Sequence, residues 1–151
     1  MNKLNELREK KLDNKGFSLV ELIIVIAIMA VLIGVLAPQY LRYVEKSRVS
    51  ADKEAASALQ GAITTALLDP ALESAADLPA RPTAKTAVPT TAPSDPFWKD
   101  VMATMGMASG ADLNKALKSK DAASTGLSYE VDALGKVTVY FTHDGTEESI
   151  D

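Results

Sequence analysis

The chain has no cysteine and only one histidine, His143, among its 151 residues. The missing thiols exclude a disulfide framework and every metal site that is built on cysteine. A single histidine offers no specific set of nucleophile, base and acid, and no glycine-rich phosphate-binding loop is present. We therefore predict that the protein is not an enzyme, and we expect neither a cofactor nor a bound metal.

Aromatic side chains are also scarce, with one tryptophan, three phenylalanines and four tyrosines. A large aromatic core is therefore excluded, and the chain has room for one small domain beside an N-terminal segment. The formal net charge is −4, which argues against nonspecific nucleic-acid binding because such binding depends on basic residues that meet phosphates. We predict no specific nucleic-acid partner.

Apolar side chains are plentiful, and they are crowded into one block near the start. Residues 19–37 are apolar except for one charge, Glu21. A helix that rises about 1.5 Å per residue needs about 20 residues to cross the ~30 Å of a bilayer core, and a run from Phe17 meets that need. Five basic and three acidic residues occupy 1–16, which predicts that this end stays in the cytoplasm while the C-terminal part is exported.

Three interpretations of the apolar block compete. A cleaved secretory signal has a shorter apolar core of about 7–15 residues, and Pro38 directly after Ala37 would hinder cutting there. An unprocessed signal anchor that displays a binding module on the surface accounts for the hydrophobicity but not for Glu21. An acid deep in a membrane helix costs about 2.5–3.5 kcal/mol, and such a residue is a functional candidate. The third interpretation depends on the junction that precedes the block.

The junction reads Lys15-Gly16-Phe17-Ser18-Leu19-Val20-Glu21. It resembles the processing motif of type IV prepilins and type II secretion pseudopilins. In that family a membrane-embedded prepilin peptidase cuts after a glycine that ends a short basic leader, and the new N-terminal residue, usually phenylalanine, is N-methylated. Gly16, Phe17 and Glu21 match the glycine, the methylated residue and a glutamate at the fifth mature position. The resemblance covers residues 15 to about 48.

The resemblance implies a structural subunit of a type IV pilus, or alternatively a pseudopilin of type II secretion or competence. It implies a protein that crosses the cytoplasmic membrane once, with its C-terminus outside, before an assembly platform in the inner membrane builds identical subunits into an extracellular filament. It also implies three parts: a leader peptide at 1–16, a transmembrane and filament-core helix at 17–38, and an exported globular domain at 39–151.

Glu21 has the sharpest predicted role. Cleavage would leave a positive amine on Phe17, and the resemblance implies that Glu21 of one subunit neutralises the amine of a neighbour. Two unpaired charges in apolar surroundings are each costly, so their pairing would set the axial register of assembly. A position near the cytoplasmic interface, where the cost of a charge is smaller, is the simpler alternative.

Two glycines and a proline carry predictions about the backbone. Gly16 has no side chain, so it can enter a protease cleft in conformations that other residues avoid. Gly34 and Pro38 weaken the helix, because proline lacks a backbone donor and crowds the preceding turn. They predict either a simple kink or a segment that bends when subunits pack.

Beyond Pro38 the pattern predicts an α+β domain, and the resemblance implies that its fold is pilin-like. The helix continues over 39–68 and packs a stripe of alanine and leucine on a small antiparallel sheet, of which only two strands are evident. The stripe comprises Val44, Ala51, Ala55, Ala58, Leu59, Ala62, Ile63, Ala66 and Leu67. The later elements are a proline-rich loop at 70–96, short helices within 96–118, a hairpin at 127–142 and an acidic tail at 143–151. With no disulfide, the sequence leaves open what holds the C-terminal region in place.

Overall fold

The structure is a computed structural model that describes residues 17–70 and 84–151. The predicted leader at 1–16, including Gly16, lies outside the described residues. So does 71–83, the middle of the predicted proline-rich loop.

The chain divides into two compact units, residues 1–42 and 43–151. One helix, α1, spans Leu19–Leu67 and contributes to both. The prediction of a single long helix is confirmed, and the helix stops just before Asp69-Pro70 because a proline disfavours helical backbone in the residue before it.

In the second unit α1 buries a narrow stripe of mostly small side chains. The buried residues recur at three- and four-residue spacing and are Val49, Asp52, Ala56, Leu59, Ala62, Ile63 and Ala66. The predicted stripe was wrong at Ala51 and Ala58, which are exposed. The larger Val49, Leu59 and Ile63 decide which face turns inward, and alanines between them fall on either side of that face.

Among the described residues, four strands form one antiparallel sheet, and their order in the sheet is their order along the chain. They are β1 Thr86–Ala87, β2 Ser128–Val131, β3 Val137–His143 and β4 Thr146–Ile150. The predicted hairpin is β2 and β3, in which Tyr129 faces Val139 and Val131 faces Val137. Its turn contains Gly135 at a φ of +85°, a conformation that glycine adopts without a steric cost.

The prediction of an acidic tail at 143–151 was wrong, because most of this segment forms the edge strand β4. The chain turns at Asp144-Gly145, both at positive φ, and Ile150 then pairs with Val139. Adjacent glutamates interrupt the apolar alternation by which a strand is recognised in sequence. Charged residues on an edge strand also oppose edge-to-edge aggregation, so their presence fits this position.

Three short helices follow the undescribed segment: α2 Pro96–Thr104, α3 Gly110–Ala116 and α4 Lys120–Thr125. The start of α2 is as predicted, with Pro96 in the first turn and an Asp95 carboxylate oxygen that accepts a hydrogen bond from the backbone N–H of Phe97 at 2.9 Å. The sequence placed a second short helix near α3 but did not predict α4.

The core of the second unit lies between α1, the short helices and the sheet. Leu59 and Ile63 of α1 are fully buried, as are Val139 and Phe141 of β3. At one side of this core Trp98 packs edge-on against two other rings, with centroid distances of 5.5 Å to Phe97 and 5.2 Å to Tyr129. The predicted packing of a long helix on a small sheet is therefore confirmed.

Two acidic residues of α1 hold the connection between α3 and α4. The two carboxylate oxygens of Asp52 accept hydrogen bonds from the backbone N–H groups of Lys118 at 2.6 Å and Ser119 at 2.8 Å. Glu45, two turns earlier on α1, accepts one from the N–H of Lys120 at 3.2 Å. These carboxylates satisfy backbone donors at the start of α4 that have no partner within that helix.

The C-terminal strand is fastened by side chains of α1. The Gln60 amide donates to the carbonyl oxygens of Val137 at 2.9 Å and Ile150 at 3.4 Å. Lys53 lies 2.6 Å from a carboxylate oxygen of Glu148. These contacts, together with pairing to β3, hold the C-terminal region without a disulfide.

Candidate functional site at the start of the long helix

Phe17, the part of the predicted cleavage site that the structure describes, lies where α1 begins. Phe17 precedes the helix and is 84% exposed. The carbonyl oxygen of Ser18 accepts the hydrogen bond from the N–H of Leu22 at 3.1 Å, so helical bonding starts at Ser18. Phe17 therefore lies outside the helical hydrogen-bond ladder.

Glu21 folds back onto the first residues of the helix. One of its carboxylate oxygens accepts a hydrogen bond from the backbone N–H of Ser18 at 2.8 Å. This is the contact that the third helical residue makes in a capping box. It gives a hydrogen-bond acceptor to one of the N–H groups that a helix start leaves without a partner. The sequence analysis did not predict this contact, although the spacing Ser18-x-x-Glu21 is its usual signal.

The helix behind this start has no side that is turned toward a core. Every residue from Phe17 to Tyr43 is exposed, and nearly all of them up to Ala37 are apolar. By length and composition, α1 contains a segment long enough and apolar enough to cross a membrane, near the N-terminus. A helix that is apolar all round needs lipid or protein to cover it.

Gly34 and Pro38 lie within α1, which continues through both. Proline has no N–H, so the carbonyl oxygen of Gly34, four residues earlier, receives no helical hydrogen bond from it. A side chain at Gly34 would meet nothing within 4 Å in this chain. The predicted kink or bending at this pair stays a prediction.

The structure therefore brings together only part of the predicted site. Phe17, Ser18 and Glu21 form one cluster at the helix start, whereas Gly34 and Pro38 lie several turns further along α1. Within 17–70 and 84–151 no group of three or more histidine or acidic side chains could hold a metal ion. The cluster has one negative side chain next to the exposed Phe17, and a carboxylate of this kind can bind a positive group.

Residues 11–37 match the family model described as the prokaryotic N-terminal methylation motif. The chain carries this motif. Its range includes Gly16, Phe17 and Glu21, and the resemblance to type IV prepilins is confirmed over this segment.

The curated relatives of the chain include three proteins named type IV major fimbrial protein FimA, all from Dichelobacter nodosus. Two are 44% identical and one is 42% identical to this chain over 55 residues, which is 36% of the chain. The match spans about a third of each relative's length, 34% or 35%. No solved structure matches the chain.

Proposed function

We propose that this chain is a structural subunit of a type IV pilus, which is made as a membrane-inserted precursor and polymerises through α1. The observation that carries the proposal is the part of α1 from Leu19 to Ala37, which is apolar on every side except at Glu21 and exposed along its whole length. Such a surface is stable in a bilayer, and after extraction it is stable only against other subunits. The role is structural, and the proposal includes no catalytic step.

The proposed maturation begins with prepilin peptidase, which cuts the bond between Gly16 and Phe17. The new amine of Phe17 is then N-methylated. The motif match across residues 11–37 and the exposed position of Phe17 ahead of the helix support these steps. The inner-membrane assembly platform then adds the processed subunit to a filament of identical copies on the cell surface.

Glu21 has two separate roles in this proposal. One is local, because the carboxylate stabilises the helix start of its own chain. The other is the proposed pairing with the positive amine of a neighbouring Phe17, which would leave a costly charge unpaired in any wrong register. The first needs only an acceptor oxygen, whereas the second needs the negative charge.

Two substitutions distinguish these two roles of Glu21. Glu21→Gln keeps an oxygen that can accept from the N–H of Ser18 but removes the charge, and Glu21→Ala removes both. If the charge sets the register, both variants are cleaved normally and both yield few filaments. Filament yield would be measured in sheared surface material by immunoblot against total cell protein. A native yield from Glu21→Gln would show that helix capping alone is required.

The proposal as a whole is tested by the intact mass and N-terminal sequence of the protein in sheared cell-surface material. We expect a chain that begins at Phe17 and carries the mass of one extra methyl group. A chain that begins at Met1 and is found only in membranes would instead identify an unprocessed anchor. A start at Pro38 would identify a secreted soluble domain, and either result would overturn the filament role.

A further inference from the structure

The residues that follow the apolar run have a feature that the proposed filament role does not explain. Beyond Ala37 and Pro38 the next large side chain is Tyr40, which is 66% exposed. Leu41 follows with the same exposure of 66%, and Arg42 with an exposed side chain comes next. An aromatic residue with a polar tip and a basic residue thus lie within five residues of Ala37, where the apolar run ends.

Tyrosine has a preferred depth in a membrane. Its ring is apolar and its hydroxyl is polar, so it is enriched at the boundary between headgroups and acyl chains. An arginine close to a helix end can extend its charged group toward the headgroups while its stem stays in apolar surroundings. Leu41 has no such preference, although it is equally exposed.

The number of residues between Phe17 and Tyr40 allows the two residues to lie at opposite membrane interfaces at the same time. Tyr40 lies 23 residues after Phe17, and a rise of about 1.5 Å per residue gives roughly 35 Å between them. This length exceeds the hydrocarbon core of about 30 Å and stays within the 40–45 Å that includes the headgroup regions. When Tyr40 is at the outer boundary, Phe17 and Glu21 are near the inner one.

We propose that Tyr40 anchors α1 at the outer headgroup–acyl boundary of the membrane before assembly, and so sets the depth at which the processing site meets the cytoplasmic side. The proposal rests on the membrane-inserted stage of the function proposed above. Tyr40 positions α1 relative to the lipid surface, and this role ends when the subunit leaves the bilayer.

The first test locates position 40 in a bilayer by fluorescence quenching. The full chain with Tyr40→Trp is inserted in vesicles whose lipids carry bromine either near the headgroup or near the chain end. The unsubstituted chain is the blank, since its one tryptophan, Trp98, is buried in the second unit. We expect stronger quenching by the shallow bromines; stronger quenching by the deep bromines, or by neither, would overturn the proposal.

Ile28→Trp is the matched control, because Ile28 lies in the middle of the apolar run. We expect it to be quenched most by the deep bromines. If neither lipid quenches it, the helix is not inserted, and the membrane-inserted stage of the proposed function fails together with the anchor. Deep quenching at 28 without shallow quenching at 40 would overturn the anchor alone.

The second test asks whether Tyr40 sets the depth. Because the chain has no cysteine, Ala37→Cys introduces a single thiol, whose labelling by a membrane-impermeant maleimide reports its access to water. When Ala37→Cys is combined with Tyr40→Ala, labelling of the thiol should become several-fold faster, because the outer end of the helix is no longer held. Combined with Leu41→Ala it should not change, and equal rates in the two combinations would overturn the depth-setting role.

Discussion

Asp52 is a charged residue in the interior of a small domain, with 1% of its surface exposed. Burial of an unpaired carboxylate would be very costly, but here each oxygen accepts a backbone N–H of the segment that leads into α4. The residue therefore joins α1 to a segment 66 residues away in sequence. Nothing in the local sequence distinguishes it from the solvated acids beside it on the helix.

Asp52→Asn should destabilise the second unit. The amide has one oxygen and one NH₂ group, so one backbone N–H would face another donor where it now has an acceptor. Hydrogen bonds to charged groups are worth about 1.5–3 kcal/mol each, and we expect a loss in that range in the free energy of unfolding, measured by denaturant titration. Glu54→Gln, at an exposed position on the same helix, should change it by less than about 0.5 kcal/mol. Equal midpoints for the two variants would contradict the role of Asp52.

Tyr140 belongs to a polar cluster on the sheet. Its hydroxyl donates to a carboxylate oxygen of Glu130 at 2.6 Å, and the Lys85 ammonium lies 5.4 Å from the ring centroid. The hydrogen bond to Glu130 raises the pKa of Tyr140 from 10.0 to about 12, with smaller contributions from burial and from the charges of Glu130 and Asp151. The folded chain thus favours the protonated hydroxyl more than the unfolded chain does.

This raised pKa predicts a pH dependence with a definite sign. The stabilisation by Tyr140 is fully present below pH 10 and is lost as the pH rises through about 12, because the folded state holds the proton more tightly. Tyr140→Phe should therefore lose less stability than the native chain between pH 9 and the upper end of that window. Denaturant midpoints at several pH values would measure the difference. Parallel curves for the two chains would refute the assignment.

At the scale of elements, the parts that the sequence predicts are those whose pattern is local. The apolar run and the helical spacing after it predict α1, the alternation around Gly135 predicts β2 and β3, and Asp95-Pro96 predicts the start of α2. The missed elements are β1, α4 and β4. The prediction of a loop over 70–96 was wrong at Thr86–Ala87, a two-residue strand too short to give a pattern, which pairs with β2. Both α4 and β4 have polar sequences and are held by distant residues. Gln60 lies 90 positions from Ile150 along the chain, and no local pattern contains such a contact.

The same argument applies to the candidate site. Gly16, Phe17 and Glu21 were evident because the motif is contiguous, and their match was found in one stretch of sequence. The contact from Glu21 to the N–H of Ser18 was within reach of sequence reasoning, since three-residue spacing at a helix start predicts it. How a neighbouring chain would meet Glu21 in the proposed filament depends on assembly geometry, which a single chain does not specify.

Gln60→Leu should loosen β4 and the start of β3, with little effect on β1 and β2. The substitution removes the donor to the carbonyl oxygens of Val137 and Ile150 and leaves both oxygens partly buried without it. We expect faster amide hydrogen exchange in 146–151 and a loss of about 1 kcal/mol in unfolding free energy. Ser57→Ala, exposed on the same helix, is the control. Unchanged exchange in β4 would mean that strand pairing alone holds it.

At the scale of the whole molecule, the two units differ in what they need from their surroundings. The buried core extends from Val49 to Phe141 and lies within residues 43–151, whereas the described residues of the first unit, 17–42, are all exposed. The first unit therefore depends on lipid or other subunits for burial, and the second has an interior of its own.

This division predicts different behaviour for two truncations. A chain that begins at Tyr43 should stay folded and monomeric in water and unfold cooperatively, because every buried apolar residue of the described structure is retained. A chain that begins at Phe17 should need detergent or assemble with copies of itself. Circular dichroism and analytical ultracentrifugation would test both. Failure of the shorter chain to fold would show that the first unit contributes to stability.

The way in which the C-terminal strand is held has a consequence for the proposed export of the domain. Its contacts include one hydrogen bond from Gln60, an ion pair with Lys53 and strand pairing, and the chain contains no thiol. Maturation of this domain therefore consumes no oxidant and involves no thiol exchange or isomerase for disulfides. A cell without oxygen can complete the fold at the same rate as one in air, and added reductant should leave the yield of folded protein unchanged.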